Sequence, residues 1–237
     1  GRVLAGSGDG HLYALDPATG AERWRFRTGG RIRGAPAVAD GIAYVGSGDG
    51  LVYGIDVAAG RETWRFETAG TELDAGEYGF DRTQIQASPA VADGTLYIGS
   101  RDASLYAIDP SDGRVRWTFG DGSAWVVASV AVHDGRVFNG RSSSGRFRAI
   151  DAASGAELWV HETGGLVFSS ATVVGSTVYV GSGSGRLFAF DAATGAVRWS
   201  LATDGPIVSS PAVWDGRVYV GSDDGTVYAV KAAQGAA

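Results

Sequence analysis

One phrase recurs along this chain: ALDPATGAERW at residues 14–24, GIDVAAGRETW at 54–64, AIDPSDGRVRW at 107–117, AIDAASGAELW at 149–159 and AFDAATGAVRW at 189–199. A segment repeated so faithfully is one supersecondary unit packed against copies of itself. The glycines that end the intervening YVGS-like runs, Gly6, Gly46, Gly99, Gly140, Gly181 and Gly221, are spaced by 40, 53, 41, 41 and 40 residues. Each unit reads in one order. A small-residue run such as GAPAVADG (34–41) or SSPAVWDG (209–216) leads into runs like RVYVGSDDG (217–225) and TVYAV (226–230), and the phrase itself closes on a WRF-type run. These runs are rich in Val, Ile, Tyr, Phe and Trp, alternate at period two, and are bounded by Asp-Gly or Ser-Gly. Short antiparallel strands joined by tight hairpins follow from that pattern. No window carries an amphipathic helix of useful length.

Four strands in ~40 residues, repeated, predict a β-propeller blade. The expected fold is all-β: a single domain over residues 1–237, a propeller of about six four-stranded blades. With strands lettered A to D from axis to rim, A strands are expected near Ala35, Ser88, Ser129, Ser170 and Ser210, and D strands at the five phrase tryptophans. That makes 22 of the 24 strands a closed six-blade ring requires. Closure is expected to come from the chain ends, with the strand at residues 2–7 beside residues 217–230, because unpaired sheet edges invite aggregation. The 38 glycines sit at fixed offsets rather than in low-complexity runs, which marks them as turns.

The phrase has a structural reading of its own. Asp16, Asp56, Asp109, Asp151 and Asp191 open a turn by accepting backbone N–H groups a few residues on. Gly20, Gly60, Gly113, Gly155 and Gly195 supply the positive φ the turn needs. Trp24, Trp64, Trp117, Trp159 and Trp199 then begin the outer strand, each ring filling the wedge between neighbouring blades, with Trp64 and Trp117 buried there. The Ala or Gly that opens the phrase leaves room for the ring. In the sixth repeat Lys231 replaces the Asp. Trp214, outside the repeat phase, is expected to pack locally near the terminal blade.

These residues resemble the tryptophan-docking motif of the PQQ-like repeat β-propellers, and the SPAV-x-DG-x-[VL]Y[VI]GS segments at 88–100 and 210–222 match the same family. The resemblance covers essentially the whole chain except residues 71–81. It implies the fold firmly and function weakly, since one fold hosts many roles. The family includes quinoprotein dehydrogenases, the propeller lipoprotein of the outer-membrane β-barrel assembly machinery, and sensor domains of bacterial Ser/Thr kinases. The dehydrogenases it resembles have eight blades, a calcium ion held by Glu, Asn and Asp, a catalytic Asp and often a vicinal Cys pair. Here there are about six repeats, no Cys, and one Asn, Asn139.

The rest of the composition narrows the function. A net charge of −6 without a basic stripe argues against nucleic acid. Zero Cys excludes disulfides, thiolate catalysis and Cys-based metal sites. No apolar run approaches the ~20 residues of a membrane helix. His11, His133 and His161 fall in different repeat phases, and no phosphate-loop, GxSxG or HExxH motif is present. The expectation is no catalytic residue, no metal and no cofactor. The opening residues begin in mid-repeat, as in a domain cut from something longer.

Function is sought where a repeat departs from the rest. A 13-residue excess between Trp64 and Trp117 falls in the insertion at 71–82, which carries Glu72, Asp74, Glu77, Tyr78, Phe80, Asp81 and Arg82. Asp74, Glu77 and Asp81 could hold calcium through hard oxygen ligands, though their spacing matches no known loop. At the entry to the A strands, alternation places Arg31, Arg33, Gln84, Gln86, Trp125 and Phe168 on one side, around the channel mouth. This ring, with Tyr78 and Arg82, is the candidate ligand site: Trp125 to stack on a planar ligand, Arg to bind an anion, or else a plug of side chains bonded to one another. The expected function is a non-catalytic binding or sensor module, monomeric and extracytoplasmic in the cell envelope or periplasm, tethered through a segment absent from this chain. It would take a small anionic or planar ligand, or a protein, at the channel face. Two forms are open, the sensor domain of a bacterial Ser/Thr kinase and an envelope protein-assembly scaffold. The alternative is a PQQ-dependent quinoprotein oxidoreductase or a degenerate relative.

Overall fold

The computed structural model describes residues 1–73, 81–120, 122 and 125–232. Six antiparallel sheets follow one another along the chain. The first has three strands, β1 (Val3–Gly6), β2 (His11–Leu15) and β3 (Glu22–Arg27). The second holds β4 (Ala37–Ala39), β5 (Ile42–Gly46), β6 (Leu51–Asp56) and β7 (Arg61–Glu67). The third holds β8 (Ala90–Ala92), β9 (Thr95–Gly99), β10 (Ser104–Ile108) and β11 (Val115–Gly120). The fourth comprises β12 (Ala131–His133), β13 (Arg136–Gly140), β14 (Arg146–Asp151) and β15 (Glu157–Glu162). The fifth comprises β16 (Thr172–Val174), β17 (Thr177–Ser182), β18 (Arg186–Asp191) and β19 (Val197–Ala202). The sixth has three strands, β20 (Ala212–Trp214), β21 (Arg217–Gly221) and β22 (Val227–Lys231). One 3₁₀ turn at Ala69–Glu72 is the only helical element among the described residues. The chain divides into two compact units, Gly1–Val127 with the first three sheets and Ala128–Ala237 with the last three.

The A strands begin two residues later than the sequence suggested, at Ala37, Ala90, Ala131, Thr172 and Ala212 rather than Ala35, Ser88, Ser129, Ser170 and Ser210. Pro36, Pro89 and Pro211 lack the N–H a ladder needs. The residues at the expected positions bond sideways instead: Ala35 N–H donates to Ser88 Oγ at 2.9 Å, Ser129 N–H to Ser170 Oγ at 3.0 Å, and Ser170 N–H to Ser210 Oγ at 3.0 Å.

The recurring phrase folds as its chemistry dictates. Asp16 Oδ1 accepts the N–H groups of Ala18 and Thr19, both at 3.0 Å, and Asp191 Oδ1 those of Ala193 and Thr194. Gly20, Gly60, Gly113, Gly155 and Gly195 all have φ between 66° and 77°. Within each unit the Trp then docks on the sheet that follows. Trp24 Nε1 donates to Val57 O at 3.0 Å and Trp64 Nε1 to Pro110 O at 2.9 Å. In the second unit Trp159 donates to Ala192 O at 3.1 Å and Trp199 to Ala232 O at 3.2 Å. The rings lie on the turn glycines so closely that a Cβ on Gly60, Gly113 or Gly195 would come within 2.7 Å of an indole atom. Ala14, Gly54, Ala107, Ala149 and Ala189 stand directly across the ladder from the five rings. Trp64 is 9% exposed. Trp117, expected to be buried as deeply, is half-buried. Trp214 does not pack locally. It is 76% exposed, at the end of β20 beside the left-handed Asp215–Gly216 turn.

Candidate functional site

The candidate residues ride on the extended segments that lead into the A strands. Along each segment one aliphatic side chain turns inward: Ile32, Ile85 and Val126 in the first unit, Val167 and Ile207 in the second, none more than 3% exposed. Each lies over a glycine at the end of a B strand, with a Cγ atom 2.2–2.3 Å from where a Cβ on Gly6, Gly46, Gly99, Gly140 or Gly181 would stand. Only glycine admits so close an approach. The backbone is held at the same point: Ile32 N–H donates to Ser7 O, Ile85 N–H to Ser47 O, Val126 N–H to Ser100 O, Val167 N–H to Arg141 O and Ile207 N–H to Ser182 O. Sequence reasoning missed this pin, although the signal was present: a β-branched residue recurs at one phase of five repeats, 26 or 27 residues after the glycine it covers in four of them and 39 where the insertion intervenes.

With the pin inward, its two flanking residues face outward. Arg31 and Arg33 are exposed, Gln84, Gln86 and Trp125 half-buried, and Leu166, Phe168 and Val208 exposed at 43, 40 and 45%. The alternation expected from sequence therefore holds, although these segments lie outside any ladder. These outward residues differ between the two units. In the first unit they are polar and cationic, and in the second they are apolar.

The polar part of the first unit is tightly organised. Gln86 Nε2 donates to Gln84 Oε1 at 3.1 Å, and Gln84 Nε2 donates to Asp81 Oδ2 at 2.8 Å. Asp81 Oδ1 accepts Thr83 N–H at 2.9 Å. Burial pushes the Asp81 carboxyl up, but the hydrogen bonds from Gln84 and Thr83 and the charge of Arg101 outweigh it and hold it below its ordinary range. Arg101 lays its guanidinium over the Trp125 ring, 4.2 Å from the centroid. Arg82 is 8% exposed and donates to the carbonyls of Arg101 and Gly122. One face of the Trp125 ring and both glutamines are thus already engaged by protein groups. Tyr78, Asp74 and Glu77 lie outside the described residues; among the described residues no three His, Cys, Asp or Glu side chains group as a metal site.

Arg31 and Arg33 stand apart from that network, and neither forms an ion pair among the described residues. Arg27 and Arg31 line a shallow groove of about 180 Å³ with residues 8–10 and 28–30. Asp9, an exposed residue of its lining, accepts hydrogen bonds from Tyr13 Oη at 2.7 Å and from His11, which keep its carboxylate well below the ordinary range. The groove and its flank present three guanidinium groups to solvent, suited to carboxylates or phosphates on a partner.

A family model described as outer membrane protein assembly factor BamB matches residues 1–79, 74–173 and 143–237. The crystal structure of BamB from Moraxella catarrhalis superposes with a TM-score of 0.81 at 23% identity, over 99% of this chain and 71% of that one. The computationally designed Ika8 protein gives 0.60 at 18% identity, over 97% and 80%. Among curated proteins, a 1-butanol dehydrogenase (cytochrome c) from Thauera butanivorans is 35% identical over 89 residues, 33% of this chain and 13% of that protein. A quinohemoprotein alcohol dehydrogenase from Comamonas testosteroni is 32% identical over 113 residues, 43% of this chain and 16% of that protein. The matches span about a sixth or less of the length of these curated relatives. No helix is long and apolar enough to cross a membrane among the described residues.

Proposed function

We propose that this chain, which belongs to the BamB-type family of PQQ-like repeat proteins, works as a non-catalytic protein-binding scaffold in the bacterial cell envelope. The observation that carries the reading is the state of the candidate ring in the first unit. Its glutamines, its Trp125 face and Arg82 are engaged by neighbouring groups, and its free elements are the solvent-facing Arg31 and Arg33. Arg101 already occupies one of the two faces on which Trp125 would stack a small planar ligand. A protein surface bearing carboxylates needs only exposed guanidinium groups held on a rigid backbone, and the Ile32 pin supplies that rigidity. The family match over the whole length and the BamB-like fold favour the assembly-scaffold form over a kinase sensor domain. The quinoprotein reading draws on the partial matches to alcohol dehydrogenases.

The test has two arms. A photo-crosslinking residue at Arg33, in protein exported to the periplasm, is expected to form discrete protein adducts, while the same residue at Asp93 forms none. Purified protein with pyrroloquinoline quinone and calcium is expected to show no alcohol-dependent dye reduction. Dye reduction, or equal adducts at both positions, would overturn the scaffold reading.

A further inference from the structure

In the second unit the segments that lead into β16 and β20 read TGGLVFSS (163–170) and TDGPIVSS (203–210). They run side by side, since Ser170 N–H donates to Ser210 Oγ at 3.0 Å and Thr172 Oγ1 donates to Pro211 O. Val167 and Ile207 are pinned inward, so Leu166 and Phe168 on one segment and Pro206 and Val208 on the other face water at matching levels. β16 opens the fifth sheet, which has the fourth before it and the sixth after it, so the exposure of Leu166 and Phe168 does not come from an end of the chain. Neighbouring apolar side chains held out into water in one place mark an interaction surface. The segments are stiff: Thr163 Oγ1 donates to Gly165 O and Thr203 Oγ1 to Gly205 O, both at 2.7 Å. The carbonyls of Leu166 and Pro206 accept Gly183 N–H at 2.8 Å and Asp223 N–H at 2.9 Å. The second of these bonds sets Asp223 beside Pro206, and Asp204 precedes Pro206 by two residues; both are exposed. No Lys or Arg falls within 163–170, 182–185, 203–210 or 222–225.

We propose that this surface docks an amphipathic helix of a partner protein, its apolar side chains on Leu166, Phe168 and Val208 and its Lys or Arg side chains against Asp204 and Asp223. Backbone groups of both segments are already bonded, Val167 N–H to Arg141 O and Ile207 N–H to Ser182 O among them, so recognition falls to side chains rather than to an added strand. Leu166 and Phe168, two apart on an extended segment, are spaced by about 7 Å along it. Apolar residues four apart on a helix are spaced by about 6 Å, so one helical row meets both. Carboxylates with no basic neighbour in these loops attract a cationic partner and repel anionic lipid headgroups. A second copy of the chain does not offer the fitting chemistry in its own equivalent segment. There Arg31 and Arg33 flank Ile32, which is 3% exposed, so charge arrives without an apolar side chain. The stiff backbone lowers the ordering cost of docking.

The inference rests on the scaffold reading only in making the occupant a protein, and it concerns residues other than Arg31 and Arg33. The probe is a short fluorescein-labelled peptide of leucine and lysine, patterned as an amphipathic helix, titrated into the purified chain and followed by anisotropy. Saturable binding is expected, weakened at least about tenfold by Phe168→Ser, by Asp204→Asn combined with Asp223→Asn, and by glutamate in place of the peptide lysines. Phe168→Leu should keep the affinity within about threefold, and so should Val160→Ser, at an exposed apolar residue of β15. Melting curves establish that each variant folds, and Leu166→Ser replaces Phe168→Ser if that one does not. Absence of binding at millimolar peptide, or equal binding by Phe168→Ser, would overturn the proposal. So would equal binding of the glutamate peptide, or uptake by phosphatidylglycerol vesicles that Phe168→Ser abolishes, because the surface then belongs to a membrane. A concentration-dependent dimer in sedimentation that Phe168→Ser abolishes would give the surface to a second copy and overturn it too. Crosslinks at Arg33 are scored independently, so either reading can fail alone.

Discussion

Replacing Trp64 by Ala removes a ring that is 9% exposed, wedged between Gly113 of the next sheet and Gly54 across its own ladder. A buried indole covers ~150–250 Å², which at ~25 cal/mol per Å² corresponds to roughly 4–6 kcal/mol as an upper bound. The backbone on both sides is held by the turn hydrogen bonds and cannot collapse fully into the space. The indole N–H bond to Pro110 O is also lost, but that carbonyl keeps the Tyr44 hydroxyl at 3.2 Å and is not orphaned. The expected loss is therefore about 4 kcal/mol, within the range for large-to-small changes in cores. Trp64→Phe keeps most of the packing and is expected to lose about 1–2 kcal/mol. Trp214→Ala, at an exposed site, should lie within about 0.5 kcal/mol of wild type. Urea unfolding followed by far-ultraviolet circular dichroism measures all three. A Trp64→Ala loss below about 1 kcal/mol, or one no larger than that of Trp214→Ala, would refute the docking argument.

The turn glycines separate backbone strain from ring contact. Gly20→Ala, at φ 71° with open space around it, should cost about 1–2 kcal/mol. Gly113→Ala, at φ 77° with its Cβ 2.7 Å from the Trp64 ring, should cost clearly more in the same titration. His161 packs against Phe188 and Phe190, and burial pushes its pKa down against the smaller opposing pull of Glu162. The unfolded chain then takes up the proton first. Stability is complete above the ordinary histidine value of 6.5 and falls as pH drops below it, and His161→Phe should flatten that part of the pH profile in denaturant titrations. Asp191 has its pKa lowered to about 2, first by the hydrogen bond from Arg198 and then by the turn N–H of Thr194. Its contribution is present above the ordinary value of 3.8 and lost toward about pH 2, so Arg198→Gln should move acid unfolding to higher pH.

Much of this was legible because a period of ~40 residues fixes what each position must do. Asp, Gly and Trp of the phrase hold their turns and rings as their chemistry requires, and the outward alternation of Arg31, Gln84 and Trp125 was readable from period two. The A-strand boundaries were not: Ala35 and Ser88 look like strand residues until their sideways hydrogen bonds are seen. Nor could the sequence place Arg101 over Trp125, since the two are brought together by the backbone bond of Val126 N–H to Ser100 O rather than by nearness in the chain. The aliphatic pin escaped notice because Ile or Val in a β-rich chain carries no mark of its own. It became visible only against the glycine it covers.

Within each unit, every joint between successive sheets is made of the same two parts, an indole on the next turn and an aliphatic side chain on a bare backbone. Both draw only on residues of the two sheets they join. Such a joint is indifferent to how many others the chain contains. A gene can therefore lengthen or shorten its product by whole repeats without redesigning any contact, and a new insertion, like that at 71–82, can be tried in one copy while its sisters keep the fold. The glycines that look like the weakest letters of the sequence are what leave the array open to that kind of tinkering.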